Sequence, residues 1–258
     1  MRSPVPGVAL DWIDPDWPAP AAVRSACTTR RGGVSRGPYA SLNLADHVGD
    51  DPVCVARNRA LLRDHLELPG EPLWLRQVHG RDVSRGGVDP YGCEADASVA
   101  TGPGVVCAVL TADCLPLLLC DRAGTRVAAV HAGWRGLAAG VIEAAVAGMQ
   151  VAPADLLVWL GPAIGPDVFE VGDEVREAFL ACDPAATAAF RPSLAGRWLA
   201  DIYQLARRRL HTLGVGHVWG GGFCTVTDPD RFFSYRREGA TGRMATLIWL
   251  NPSSAPIG

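Results

Sequence analysis

Three short apolar runs stand in close succession in the middle third of the chain, and they narrow the possible folds more than any other feature. GVVCAVL (104–110), LPLLLCD (115–121) and TRVAAVH (125–131) are each too short for an ordinary helix and are separated by turn-forming residues. Each reads as a strand buried on both faces. After the third run comes AGWRG, and then Leu137, Val141, Ile142, Ala145, Val146 and Met149 fall on one helical face. Upstream, DDPVCVARNRALLRDHL predicts a helix from an Asp51 cap, with Pro52 in its first turn, to about Leu66. PLWLRQVHG reads as a short strand ending at His79, and LLVWL at 156–160 as another buried strand. Val171, Val175 and Phe179 suggest a short helix, Ile202, Leu205, Leu210 and Leu213 a longer one opened by Asp201, and TLIWL a final strand. Strands that pair in hairpins and also alternate with helices argue for an α+β fold of mixed sheets flanked by helices, in a single domain over residues 1–258. No GxGxxG follows a strand, so a dinucleotide fold is not expected.

Charge excludes several partners. The 24 basic and 27 acidic residues give a net charge of −3 without a basic block, so neither nucleic acid nor an anionic membrane is an expected partner. All 24 basic residues are arginine. Without a lysine amine, Schiff-base chemistry and the nucleotide loop ending in Gly-Lys are ruled out. The N-terminal MRSPVPGVALDWIDPDW lacks the apolar stretch of a signal peptide, and the longest apolar stretch, Val105 to Cys120, is broken by Asp113 and Pro116. A cytoplasmic location is therefore expected, with the eight cysteines as thiols or metal ligands. One large core accounts for the apolar positions as well as an oligomer interface would, and a monomer is expected.

Three soft-metal ligands close or follow the strands: His79 in RQVHG, Cys114 in TADCLP and His131 in VHAGWRG. Two imidazoles and a thiolate suit zinc and leave a fourth tetrahedral position open, as in a catalytic site. Separations of 35 and 17 residues match no local zinc-finger spacing, so spacing by itself does not make the site.

The same segments carry a resemblance. QVHG, LTADCLPLLL, AAVHAGWRGL, GPAIGP, FEVG and FFSYRREGATGRMA, in this order and across nearly the whole chain, closely resemble the family described as multicopper polyphenol oxidase or laccase-domain proteins, and later as purine nucleoside phosphorylases. The resemblance implies a layered α/β/β/α arrangement and zinc held by His79, Cys114 and His131. It also implies phosphorolysis of adenosine, inosine, guanosine and methylthioadenosine, with adenosine deamination as a companion reaction, so purine nucleosides and phosphate are the expected partners. Both reactions involve attack by an oxygen nucleophile, which zinc chemistry suits. Phosphorolysis also needs an anion site, for which the forked guanidinium is fitted. Arg135, in the glycine turn opening a helix, is the first phosphate candidate. Arg30 in TTRRGGVS and Asn43 in SLNLA belong to the family's N-terminal motif and are candidates to complete the substrate site, beside the reading as a surface arginine and a turn asparagine. Gln77 would point as His79 does, toward substrate or into a structural bond. Asp113 is either a general acid on the leaving base or the partner of a zinc-bound imidazole. Arg236 either reaches the pocket or pins the C-terminal segment. Cys224 reads as a buried structural thiol, His47, His65, His211 and His217 as solvated or capping residues, and Trp74, Trp159 and Trp249 as core.

Three other chemistries compete. Copper could occupy a His-Cys-His site, but a multicopper oxidase needs a trinuclear cluster of many histidines, and this chain has six and no His-x-His pair, so copper phenol oxidation is disfavoured. Cys114 with His131 as base would make a cysteine hydrolase, such as an amidase on cell-wall precursor peptides, an activity also attributed to the family. A zinc-stabilised, non-catalytic module would unfold under chelation and turn nothing over.

Overall fold

The three apolar runs of the middle third do form strands, but the first goes to one sheet while the second and third pair in another. The computed structural model describes residues 10–251. Both ends of the 1–258 domain span, and the first nine residues of the segment judged not to be a signal peptide, lie outside the described residues. Numbered along the chain, one sheet has the order β1 (Trp12–Ile13), β2 (Val23–Thr28), β14 (Met244–Leu250), β6 (Val106–Thr111), β3 (Pro72–Leu73). The second has the order β13 (His217–Gly220), β9 (Leu156–Leu160), β7 (Leu115–Asp121), β8 (Val127–Ala132), β5 (Ala97–Ala100), β4 (Val83–Arg85). A small third sheet sets β12 (Trp198–Ala200) between β10 (Glu170–Val171) and β11 (Phe190–Pro192). Most neighbours are antiparallel, while β3 with β6, β13 with β9 and β4 with β5 are parallel, so both large sheets are mixed.

Alternation along the strands sorts side chains into layers. Cys27, Cys107, Val109 and Ile248 of the first sheet meet Leu118, Cys120, Ala129 and Trp159 of the second in one apolar seam. The opposite face of the second sheet, through Leu115, Leu117 and Val130, packs on α3 (Val141–Met149) and α5 (Ile202–Thr212) by Ile142, Val146, Leu205 and Leu210. The opposite face of the first sheet, through Val106, Ala108 and Leu247, is covered by Leu42, Leu44 and Leu62, the last on α1 (Pro52–His65). The result is the α/β/β/α order of layers, each fully buried leucine contributing roughly 1.5–3 kcal/mol.

Caps act where the sequence places them. Asp51 accepts from the N–H of Val53 at 2.9 Å and Asp201 from that of Gln204 at 2.9 Å. Three expectations need correction. The helical face from Leu137 to Met149 is split between α2 (Trp134–Ala139) and α3, because Gly140 takes φ 96° and turns its N–H back onto the carbonyls of Gly136 and Leu137. Val171 belongs to β10, and the short helix behind it is α4 (Asp173–Leu180). PLWLRQVHG is a strand only at Pro72–Leu73, since the N–H of Trp74 turns back to the carbonyl of Pro72 and the segment then leaves the sheet. Trp74 is accordingly only half-buried, beneath the Arg59 guanidinium, whereas Trp159 and Trp249 are core. Among the described residues, no helix is long and apolar enough to cross a membrane.

Candidate functional site

The connection Ala112–Cys114 carries the chain from the first sheet to the second at one end of the sandwich, and the site forms there. Asp113 takes φ 92° in this crossing, an uncommon conformation that aspartate tolerates better than most residues. Three contacts hold it: Oδ1 accepts from the Thr225 hydroxyl, Oδ2 from the N–H of Arg236 at 2.7 Å, and its carbonyl from the N–H of Ile164 at 2.9 Å. Cys114 is thereby presented at the mouth of the seam. His131 arrives from β8, where it follows Ala129 on the face toward the other sheet. His79 arrives on a turn at φ 59°, not from a strand end.

A residue unmarked in the sequence reading joins these parts. The wholly buried Asp96 accepts a hydrogen bond from His131 Nδ1 at 2.8 Å and bonds from the N–H groups of Val78, His79 and Gly80 at 3.2, 2.9 and 2.6 Å. It is thus the imidazole's carboxylate partner, while Asp113 ties the thiol turn to Thr225 and Arg236. Glycines supply the clearance. A Cβ on Gly133 would stand 2.9 Å from His79 Cδ2 and 3.0 Å from Cys114 Sγ, and one on Gly136 would stand 2.7 Å from the Gly80 carbonyl oxygen. The glycines of HAGWRG let α2 close upon the ligands.

The ligand atoms of His79, Cys114 and His131 lie within 4.8 Å of one another. Cys114 Sγ is 3.9 Å from His79 Nε2, and the two imidazole rings meet edge to face with centroids 4.8 Å apart. Burial alone would raise the Cys114 thiol, but the charge and hydrogen bonds of His131 and His79 outweigh it and hold the pKa below the ordinary thiol range. Burial would likewise lower His131, and the Cys114 thiolate and Asp96 outweigh that and raise it. At Asp96 burial raises and is outweighed by His131 and the N–H groups of Gly80 and Val78, so the carboxylate stays ionised. The thiol and the two imidazoles together make a group that could hold a metal ion.

These residues lie in the wall of a cavity of about 460 Å³. Of the other residues singled out from the sequence, Gln77, Asp113, Arg135 and Arg236 also line it, and Arg30 and Asn43 do not. Gln77 spends both ends of its amide on β6, donating to the Leu110 carbonyl at 2.8 Å and accepting from its N–H at 2.7 Å. Arg30 donates to the Ala40 carbonyl and pairs with Glu238 at 2.8 Å, while Asn43 Oδ1 accepts from the N–H of Arg243 at 3.0 Å. Both therefore brace the segment around α6 (Tyr235–Glu238) from behind. Arg135 lies over the Trp134 ring at 4.5 Å, and Arg236 over Phe169 at 5.7 Å.

The cavity wall adds His47, Tyr235 and Arg243. His47 is exposed but faces this space. Arg243 is anchored by Nη1 to the carbonyls of Thr241 and Gly242 and lies over Tyr235. Burial lowers its pKa, and the negative charges of Cys114 and Asp113 act against that. Among the described residues, Arg135, Arg236 and Arg243 form no ion pair with a carboxylate, unlike Arg30, Arg208 or Arg209. A signal for Arg243 was present in the sequence, a guanidinium directly before the final apolar strand. Cys224 is half-buried rather than buried, accepting from the N–H of Gly165 at 3.3 Å.

Fold and site together define a layered α+β protein with an open two-histidine, one-cysteine group, able to hold a soft metal in an arginine-lined cavity. Residues 24–251 match the family model described as multi-copper polyphenol oxidoreductase laccase. A Pseudomonas aeruginosa protein named purine nucleoside phosphorylase is 59% identical over 241 residues, spanning 93% of this chain and 98% of that one. Its Escherichia coli counterpart, of the same name, is 56% identical over 239 residues, spanning 92% and 98%. Among solved structures, a Neisseria meningitidis protein superposes with TM-score 0.89 at 52% identity over 93% of this chain and 99% of its own. YlmD from Geobacillus stearothermophilus gives 0.88 at 31% identity over 97% and 98%. The chain belongs to the multi-copper polyphenol oxidoreductase laccase family.

Proposed function

We propose that this protein is a purine nucleoside phosphorylase that uses zinc, acts on adenosine, inosine, guanosine and methylthioadenosine, and deaminates adenosine as a side reaction. The relatives' name supports the reaction class. The observation that carries it here is one cavity holding both the His79–Cys114–His131 group and the unpaired Arg135, Arg236 and Arg243. A phosphorolytic enzyme needs an anion site beside the sugar, and three guanidiniums without a carboxylate partner offer it.

Zinc fits the donor set: His79, Cys114 and His131 would hold it at the cavity wall, and it would supply Lewis acidity there. The remaining work falls to the chain. Arg243, anchored at one nitrogen, and Arg135, resting on Trp134, bind and orient phosphate. Phe169, Tyr235 and Trp134 offer flat apolar faces to the base and exclude water from it. Asp113 holds Cys114 and Arg236 at a fixed separation through its two occupied oxygens. Arg30 and Asn43 hold the segment that carries Arg236 and Arg243. The enzyme works as a monomer in the cytoplasm, where a zinc-binding thiolate stays reduced.

The test incubates purified protein, assayed for zinc per chain, with adenosine and inosine, with and without phosphate, and separates the products by chromatography. Phosphate-dependent release of adenine and hypoxanthine, at about one zinc per chain, is expected; inosine from adenosine reports the deaminase. Arg243→Ala should keep the zinc and raise the phosphate KM by about 10- to 100-fold, the worth of a charge-assisted bond. No turnover with zinc bound would overturn the phosphorylase. The Cys114–His131 pair also favours a second reading, a metal-free cysteine amidase on cell-wall precursor peptides. Activity that survives chelation and dies on alkylation would select it.

A further inference from the structure

We propose that Asp96 is the positioning residue of the metal-binding group, one buried carboxylate that sets the ring of one histidine ligand and the backbone turn of the other. The inference rests on the metal site read above. Asp96 does not line the cavity, and its side chain is fully enclosed. Its Oδ1 accepts from His131 Nδ1 at 2.8 Å and from the N–H of His79 at 2.9 Å. Its Oδ2 accepts from the N–H groups of Gly80 at 2.6 Å and Val78 at 3.2 Å. The Asp96 carbonyl also accepts from the N–H of His131, at 2.7 Å. Of these five bonds, three reach His131 and His79 themselves and two hold the residues on either side of His79.

Both Asp96 oxygens meet backbone N–H donors as well as the ring, so Asp96 is the acceptor and His131 Nδ1 the donor at their contact, which leaves Nε2 as the nitrogen available to a cation. Three successive N–H groups aimed at the same carboxylate hold His79 in its left-handed turn, which brings Nε2 to 3.9 Å from Cys114 Sγ. An asparagine could not repeat this. With its amide nitrogen at the Oδ1 position it would face two donors, His131 Nδ1 and the N–H of His79, and with that nitrogen at Oδ2 it would face the N–H groups of Val78 and Gly80. In the first case the imidazole must move its proton to Nε2, where it blocks the ligand; in the second the His79 turn loses its hold.

The test titrates zinc alone into full-length parent, Asp96→Asn and Asp121→Asn proteins against a chromophoric chelator, and records the cobalt(II) absorption spectrum of each. Asp121 is a control of the same type, a buried carboxylate accepting from Thr125 and Arg126 in the turn after β7, away from the ligands. Asp96→Asn should bind zinc about 10- to 100-fold more weakly, with a changed cobalt spectrum, as expected for loss of a ligand's hydrogen-bond partner. Asp121→Asn should stay within about two-fold of the parent, as for a change remote from the ligands. Folded Asp96→Asn with parental affinity, or an equal loss in Asp121→Asn, would overturn the proposal. Should Asp96→Asn not fold, long-range proton–nitrogen correlation spectra of the zinc-loaded parent decide: a slowly exchanging proton on His131 Nδ1 supports the proposal and one on Nε2 overturns it. A parent that binds no zinc would sink the metal site itself, a separate outcome visible before any variant is made.

Discussion

Cys107 and Cys114 stand seven residues apart on either side of the end of β6, and they differ in chemistry as far as two thiols can. Cys107, with Cys27 and Cys120, lies in the seam between the sheets, where burial pushes each thiol from 9.0 up to about 12, against weak opposition from a hydroxyl or a backbone N–H at Cys27 and Cys107 and with the Asp121 carboxylate adding to it at Cys120. Burial acts in the same direction at Cys114 and loses to two imidazoles. The difference teaches that enclosure does not make a thiol inert or reactive here. What decides is whether the chain leaves the seam in time to meet His79 and His131, which it does only in the crossing at Ala112–Cys114.

The comparison can be broken most easily by chemical labelling. With metal-free, folded protein near neutral pH, Cys27, Cys107 and Cys120 should react with iodoacetamide roughly 1000-fold more slowly than an ordinary thiol, because a thiol pushed from 9.0 up to about 12 has that much less thiolate. Zinc should protect Cys114 and leave those three rates unchanged, as peptide mass mapping would show. Labelling of Cys107 in step with Cys114 would break the contrast. Next in size, Cys114→Ser should weaken zinc binding by more than about 100-fold, beyond the usual effect of losing a ligand's neighbour, while Cys107→Ala leaves it unchanged. Equilibrium dialysis separates the two.

Stability at alkaline pH sharpens the same point. A thiol raised from 9.0 to about 12 in the fold stays protonated where the unfolded chain ionises, so its contribution is whole below pH 9 and is lost as pH rises toward 12. Cys107→Ala should therefore flatten the fall of unfolding free energy over that range by about 1.4 kcal/mol per pH unit, measured by urea denaturation. The smallest effect belongs to Cys182→Ser. That side chain is exposed, and both stability, within about 0.5 kcal/mol, and zinc affinity should hold.

Much of this arrangement was legible from residue pattern alone. The runs that became β6, β7, β8 and β9 are short, apolar and punctuated, and the Asp51 and Asp201 caps mark their helices with a side-chain acceptor at the right offset. Other features leave no periodic trace. Gly140 interrupts a helical face whose apolar spacing continues through it, and β10, β11 and β12 are two or three residues long. RQVHG misled because the Gln77 side chain, rather than backbone, does the pairing with β6. Among site residues, His79, Cys114 and His131 stood out as soft-metal candidates by residue type, but only the family resemblance joined them into one group, since their spacing matches no local motif. Asp96 did not stand out, because a buried aspartate in CEADAS looks like any strand-opening acid until the chain brings His131 and the His79 turn around it.

The position of β14 has a consequence for the order in which the molecule is made. It is the last strand among the described residues and lies inside its sheet, hydrogen-bonded to β2 on one side and β6 on the other, with Thr246 opposite Cys27 across 219 residues. A nascent chain still on the ribosome carries β2 and β6 as two open edges with no partner to close them, and the seam that holds Cys27 and Cys107 stays half-built. Arg243 enters just ahead of that strand. The cavity wall that includes Arg243 is completed only once β14 has been made, whereas His79, Cys114 and His131 all precede it in the chain.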